Sequence, residues 1–177
     1  MRRDFFIHFA FWFFFFVLIS IAKNTLSVAY WPFWVGGLFG LFLPDIDHLV
    51  YVFFLGPQEL TSQRINFLLK KKEIGRTLSL LYETRDERRG LIFHTNIFQL
   101  IFLILTFLIV TSSTSVFATG LVLSFVLHLS IDQLMDLVDL KNLSNWGKIL
   151  PFELDLRKSQ IYWLVILLLI CIMGFLM

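Results

Sequence analysis

Residues 32–55 read PFWVGGLFGLFLPDIDHLVYVFFL, an apolar run broken near its middle by Pro44-Asp45-Ile46-Asp47-His48. A membrane-spanning helix needs about 20 mostly apolar residues, and this run meets that length. An Asp at the centre of such a helix costs roughly 2.5–3.5 kcal/mol on insertion scales, so two of them beside a His require a function or a partner. Outward from this stretch, apolar runs recur near 5–22, 91–111, 115–138 and 160–177. They predict an all-α, polytopic membrane helical bundle of about five transmembrane helices, with residues 1–177 forming one membrane domain.

Composition agrees. The chain is 58% hydrophobic, with 22 phenylalanines, well above the apolar share of a soluble domain. A net charge of +2, with basic residues close to acidic ones, gives no footprint for nucleic acid, so membrane lipids are the expected surroundings. The single cysteine, Cys171, excludes an intrachain disulfide and a thiolate metal site. Arg2 and Arg3 followed by an apolar run ending Ser20-Ile21-Ala22 resemble a signal peptide, but a run of about 18 residues exceeds the usual range of roughly 7–15 and reads as an uncleaved first span. Within it, Phe13 to Phe16 read as lipid-facing or packing bulk.

Positive charge sets the expected orientation, because Lys and Arg accumulate in short cytoplasmic loops. Of the 15 Lys and Arg, only Lys23 falls on the other side of the predicted spans, which puts the N-terminus in the cytoplasm and the C-terminus outside. Tyr30, Trp31, Trp34, Tyr162 and Trp163 fall where interfacial anchors belong. Between the second and third spans, residues 61–88 are too charged to cross. Ile65, Leu68, Leu69, Ile74, Leu78 and Leu81 recur there at near-helical spacing, predicting a cytoplasmic surface-helix insertion divided at Gly75.

The polar residues inside the spans fall at one depth. At about 1.5 Å per residue, a second span entering near Pro32 carries Asp45 roughly 20 Å into a core about 30 Å thick, with Asp47 and His48 deeper. The third span runs the other way and keeps His94 about one turn from the inner surface, while the fourth carries His128 to the depth of Asp45 and Asp132 a turn further. His128, Asp132 and Asp136 are spaced four apart on one helical face, with Ser124 a turn above, and Asp45 shares a face with His48. Pro44 removes a helical hydrogen bond and predicts a kink that turns Asp45 and Asp47 to one side. Carboxylates with imidazoles and no thiolate describe a divalent metal site for Zn, Mn, Fe or Mg. The residues that gather there are Asp45, Asp47, His48, His94, His128 and Asp132. His8, alone near the start of the first span, reads as an interfacial or packing histidine. Arg88 and Arg89 read as phosphate-facing, substrate-binding residues.

The run Pro44-Asp45-Ile46-Asp47-His48, the His94-Thr95 pair opening a span, and His128-x-x-x-Asp132 resemble the signature of the membrane-bound metal-dependent hydrolases, a bacterial inner-membrane family. The resemblance covers Leu43 through Pro151 and includes a Gly-x-x-x-Pro segment at Gly147 to Pro151. It implies metal-dependent hydrolysis at the inner leaflet, with Asp45, Asp47, His48, His94, His128 and Asp132 as the metal site, Asp47 and Asp132 as its catalytic carboxylates, and a phosphoester or lipid as substrate. The family commonly has a further His where Arg89 stands, which removes one ligand here. An ion- or proton-coupled carrier using the same cluster, and a structural or regulatory membrane protein, are the alternative expectations.

Overall fold

The computed structural model describes residues 2–88, 90–147 and 155–177, so Arg89 and the Lys148 to Pro151 part of the Gly-x-x-x-Pro segment lie outside it. Among the described residues the chain is helical, without strands. The helices are α1 (Arg2–Ala22), α2 (Trp31–Phe42), α3 (Ile46–Val50), α4 (Leu60–Lys70), α5 (Ile74–Glu83), α6 (Asn96–Ser112), α7 (Val116–Asp139) and α8 (Leu156–Leu176). Four stretches are long and apolar enough to cross a membrane: Arg3–Ala22, Val28–Leu55, Val116–Asp139 and Leu156–Leu176. The shorter α6 has 17 residues, about 26 Å at 1.5 Å per residue, near the lower limit for a span. The expected bundle is therefore present.

Local boundaries differ from expectation, including the start of the fifth span at Leu156 instead of residue 160. The third span does not open at residue 91: Leu91 to Thr95 run without helix, and α6 starts at Asn96 with Thr95 as its cap, its hydroxyl accepting from the Phe98 N–H at 3.3 Å. The surface insertion divides at Lys71 to Glu73 instead of Gly75. Lys72 adopts φ 59°, and the Lys72 and Glu73 N–H groups bond the Leu69 and Leu68 carbonyls, so α4 ends in a Schellman turn closed by a lysine. Gly75 instead lies in the first turn of α5.

Pro44 does interrupt the second span. α2 stops at Phe42, and beyond the proline the N–H groups of Ile46, Asp47 and His48 bond the carbonyls three residues back, tightening the chain as α3 restarts. One π-helical turn, Tyr51–Leu55, ends the span.

α7 is the central helix, with its face buried from Thr119 to Leu137, and α2 lies closest against it. Close approach depends on glycines. A methyl group on Gly36 or Gly40 of α2 would overlap the carbonyl oxygens of Phe117 and Leu121, and one on Gly120 of α7 would overlap that of Phe33. This is small-residue packing of the kind that brings helices together in lipid. Around it Trp12, Phe16, Phe33, Leu123, Leu127, Ile166 and Ile170 form the core, with Phe16 stacked on Phe33 at 4.4 Å. The phenylalanine run divides between both expected roles: Phe16 is buried, whereas Phe13 and Phe14 are exposed on the outer face.

Candidate metal centre

The polar residues of α1, α3, the Leu91 to Thr95 segment and α7 converge on one cavity of about 650 Å³ at one end of the bundle. Its floor is built by α7. His128 and Asp132, one turn apart, approach each other at 3.2 Å between His128 Nε2 and Asp132 Oδ2, and both side chains are buried. Asp136, a turn further, also faces the cavity and accepts a 2.7 Å hydrogen bond from the Trp146 indole.

His8 of α1 completes the floor. Its Nδ1 lies 2.9 Å from the Asp4 carbonyl, which can only accept, so Nδ1 carries a proton and Nε2 faces inward. That Nε2 is 3.4 Å from Asp132 Oδ1, and the His8 ring packs 4.3 Å from the His128 ring. His8, His128 and Asp132 offer ligand atoms that all lie within 4.8 Å of one another, a group able to hold a metal ion. The His8 Nε2 and both His128 nitrogens are buried and make no hydrogen bond. Buried polar atoms are rarely left so, and imidazole nitrogens aimed at a shared carboxylate fit a cation between them.

His94 links this floor to α3. Its Nε2 lies 3.1 Å from Asp132 Oδ2 and its Nδ1 lies 3.2 Å from Asp47 Oδ2. Asp47 is completely enclosed. Besides His94, its oxygens accept from the backbone N–H groups of Ile92 at 3.1 Å and Phe93 at 2.6 Å. It therefore pins the non-helical entrance to α6 and fixes the His94 ring, as outer carboxylates do for ligating imidazoles. Asp45 points elsewhere: its half-exposed carboxylate lies in the cavity 3.7 Å from His128 Nε2. The turn at Pro44 thus separates the two aspartates instead of turning them to one side.

His48 lines the cavity, but its Nδ1 accepts a 3.0 Å hydrogen bond from Arg88 Nε. Arg88 is buried, and its other nitrogens reach the Thr84 hydroxyl and the Leu81 carbonyl, so this guanidinium fastens α5 to α3. A different arginine reaches the floor. Arg85 lies 3.8 Å from Asp132, 3.9 Å from Asp136 and 3.6 Å from Asp4.

The structure thus assembles Asp45, His48, His94, His128 and Asp132 around one cavity, places Asp47 beneath it, and brings in two residues that sequence reasoning passed over, His8 and Arg85. For His8 the signal was available. About three residues, nearly one turn, inside the first span, it lies at the depth already assigned to His94. Arg85 carried no comparable signal within a run of charged residues. No protein-family description, curated protein or solved structure matches this chain.

Proposed function

We propose that this protein is a membrane-embedded, metal-dependent hydrolase acting at the cytoplasmic leaflet of a bacterial inner membrane, on a phosphoester or lipid headgroup. The carrying observation is the convergence of His8, His128 and Asp132, with buried imidazole nitrogens that make no hydrogen bond, on the floor of an accessible cavity. These nitrogen and oxygen donors suit Zn, Mn or Fe, and Mg less well because of the imidazoles. When bound there, a divalent ion supplies Lewis acidity and acidifies a water.

The chain's own residues divide the remaining work. Hydrolysis of a phosphoester adds water across the P–O bond: hydroxyl goes to phosphorus, and a proton is passed to the leaving oxygen. Asp45, half-exposed in the cavity beside His128, is placed to take and return that proton, a task for which Asp47 is too enclosed. Arg85 lies within reach of a phosphate oxygen above the floor, where a planar guanidinium is well matched.

A carrier is the second reading, favoured by the continuous chain His8, Asp132, His94, Asp47. One-sided access supports hydrolysis over it. Along the bundle, the apolar layer of Trp12, Phe16, Phe33, Leu123 and Leu127 separates the cavity from the opposite end.

Metal analysis of purified protein, followed by a panel of phosphoester, ester and amide substrates, tests the proposal. A bound divalent metal and turnover that Asp45→Asn suppresses are expected. Metal or proton flux into vesicles that depends on Asp132, with no turnover on any substrate, would favour the carrier.

A further inference from the structure

The cavity's polarity is divided. Its polar groups gather on the floor, whereas its side wall is formed by Phe5, Phe42, Ile46, Leu49 and Leu78. Each of these five is also exposed on the outside of the protein, from 39% at Leu49 to 54% at Phe5. These side chains line the cavity and keep a large exposed fraction, so this wall is an accessible apolar surface. Within it the stack of Phe5 on Phe42, at 6.1 Å between ring centres, joins α1 to α2. Phe42, Ile46 and Leu49 continue down the second span at positions i, i+4 and i+7, forming one apolar stripe through the Pro44 turn.

The exposed surface beside this wall is apolar as well. Phe6 and Phe9 of α1 and Phe39 of α2, adjoining the rim, are exposed aromatic residues on helices long and apolar enough to cross a membrane. A soluble substrate arriving from water gains nothing from a wall of this kind, because its polar groups would be desolvated against aromatic and aliphatic side chains. An amphiphile matches it at both ends.

Building on the hydrolase reading, we propose that the substrate is a phospholipid drawn sideways from the bilayer between α1 and the second span, its phosphate at the His8, Arg85 and Asp132 floor and an acyl chain seated on Phe42, Ile46, Leu49 and Leu78. The Phe5–Phe42 pair parts to admit the chain. The α4–α5 hairpin supplies the opposite side of the seat through Leu78, Leu81 and Tyr82.

Photolabelling tests the seat without requiring turnover. Protein in phosphatidylglycerol vesicles is photolysed with a trace of phosphatidic acid carrying a diazirine in mid-chain, and, in parallel, with diacylglycerol carrying the same chain. Phosphatidic acid is expected to label Phe42, Ile46 and Leu49 about tenfold more, relative to Ile104 and Leu168 on the lipid-facing sides of α6 and α8, than diacylglycerol does. That ratio corresponds to about 1.4 kcal/mol of preference. Leu49→Gln should reduce the excess label on Phe42 and Ile46. The same relative labelling by both lipids overturns the proposal. Cleavage of water-soluble bis(p-nitrophenyl) phosphate, measured beside metal content, reads the hydrolase activity separately. Turnover of this soluble ester with undifferentiated labelling would remove the lipid seat and leave the hydrolase. Concentrated labelling without metal or turnover would support the seat and remove the hydrolase.

Discussion

Asp132 and Gln133 are neighbours on α7, both buried, and they face two different polar clusters. Gln133 points into the α6 and α8 interface. It exchanges hydrogen bonds with Gln99 at 3.1 and 2.8 Å, donates to Asn96 at 3.4 Å, and the Tyr162 hydroxyl donates to Gln99 at 2.8 Å. The Gln99–Gln133 pair is neutral and reciprocal, with a donor matched to an acceptor in each direction. Asp132 faces three imidazoles and a guanidinium beside a cavity, and nitrogens of two of those imidazoles lack a hydrogen bond. Burial of polar groups inside a membrane protein is therefore not enough to mark a site. A reciprocal amide pair holds helices together in lipid, whereas ionisable groups gathered at a cavity are the candidates for chemistry.

Substitutions at the two neighbours give the largest expected difference. Asp132→Asn is expected to weaken metal binding by more than about 100-fold, beyond the 10–100-fold typical of outer partner residues, while the protein still inserts and elutes as a single species. Gln133→Leu should retain metal but lose about 0.6–1.7 kcal/mol of stability, the scale of interhelical hydrogen bonds in membranes, as measured by unfolding in detergent. Equal metal loss in both variants would erase the distinction between the clusters.

Smaller but more discriminating is His8→Ala. Read as an isolated packing histidine, His8 should leave metal binding unchanged when removed. Its inward Nε2 and its stack on His128 predict instead a loss of about 10–100-fold in affinity, measured by competition with a chelator. Affinity equal to the unsubstituted protein would return His8 to a packing role and leave His128 and Asp132 without their third ligand.

How much of this was legible in the sequence follows from what each feature depends on. The helical bundle was legible because apolar length is a property of local sequence. The shared depth of Asp45, His94, His128 and Asp132 followed from rise per residue, and the cavity contains all four. The direction of a side chain after a proline break was not legible. Asp47 turns under the Leu91 to Thr95 segment because that segment is not helical, and its backbone N–H groups need acceptors. The Gln99–Gln133 pairing also depends on how α6 rotates against α7, which spacing within one helix does not specify. Gly36-x-x-x-Gly40 was a readable signal for the α2–α7 contact that drew no inference.

The smallest expected effect lies away from both buried clusters, at an exposed carboxylate whose partner is a helix end. Asp155 caps α8: its Oδ1 accepts the Lys158 N–H at 2.8 Å, and its Oδ2 lies 3.6 Å from the Lys158 ammonium. The backbone hydrogen bond from Lys158, aided by that ammonium, lowers its carboxyl from the ordinary aspartate value. A carboxyl lowered in the folded state stabilises the fold above its unfolded value, and this contribution is lost as pH falls through the folded one. Acidification should therefore loosen the first turn of α8, seen as lower hydrogen-exchange protection at Arg157 and Lys158 relative to the intrinsic rate at each pH, with no change in protection at the amides of the α7 core. Asp155→Asn preserves a cap acceptor without a charge, so it should retain most of the protection and remove its acid dependence, whereas Asp155→Ala should remove both. If the acid-induced loosening persists in Asp155→Asn, the proton responsible binds elsewhere. If it spreads to α7, the surface carboxylate and the buried cluster are coupled, and the separation drawn between exposed and enclosed carboxylates fails.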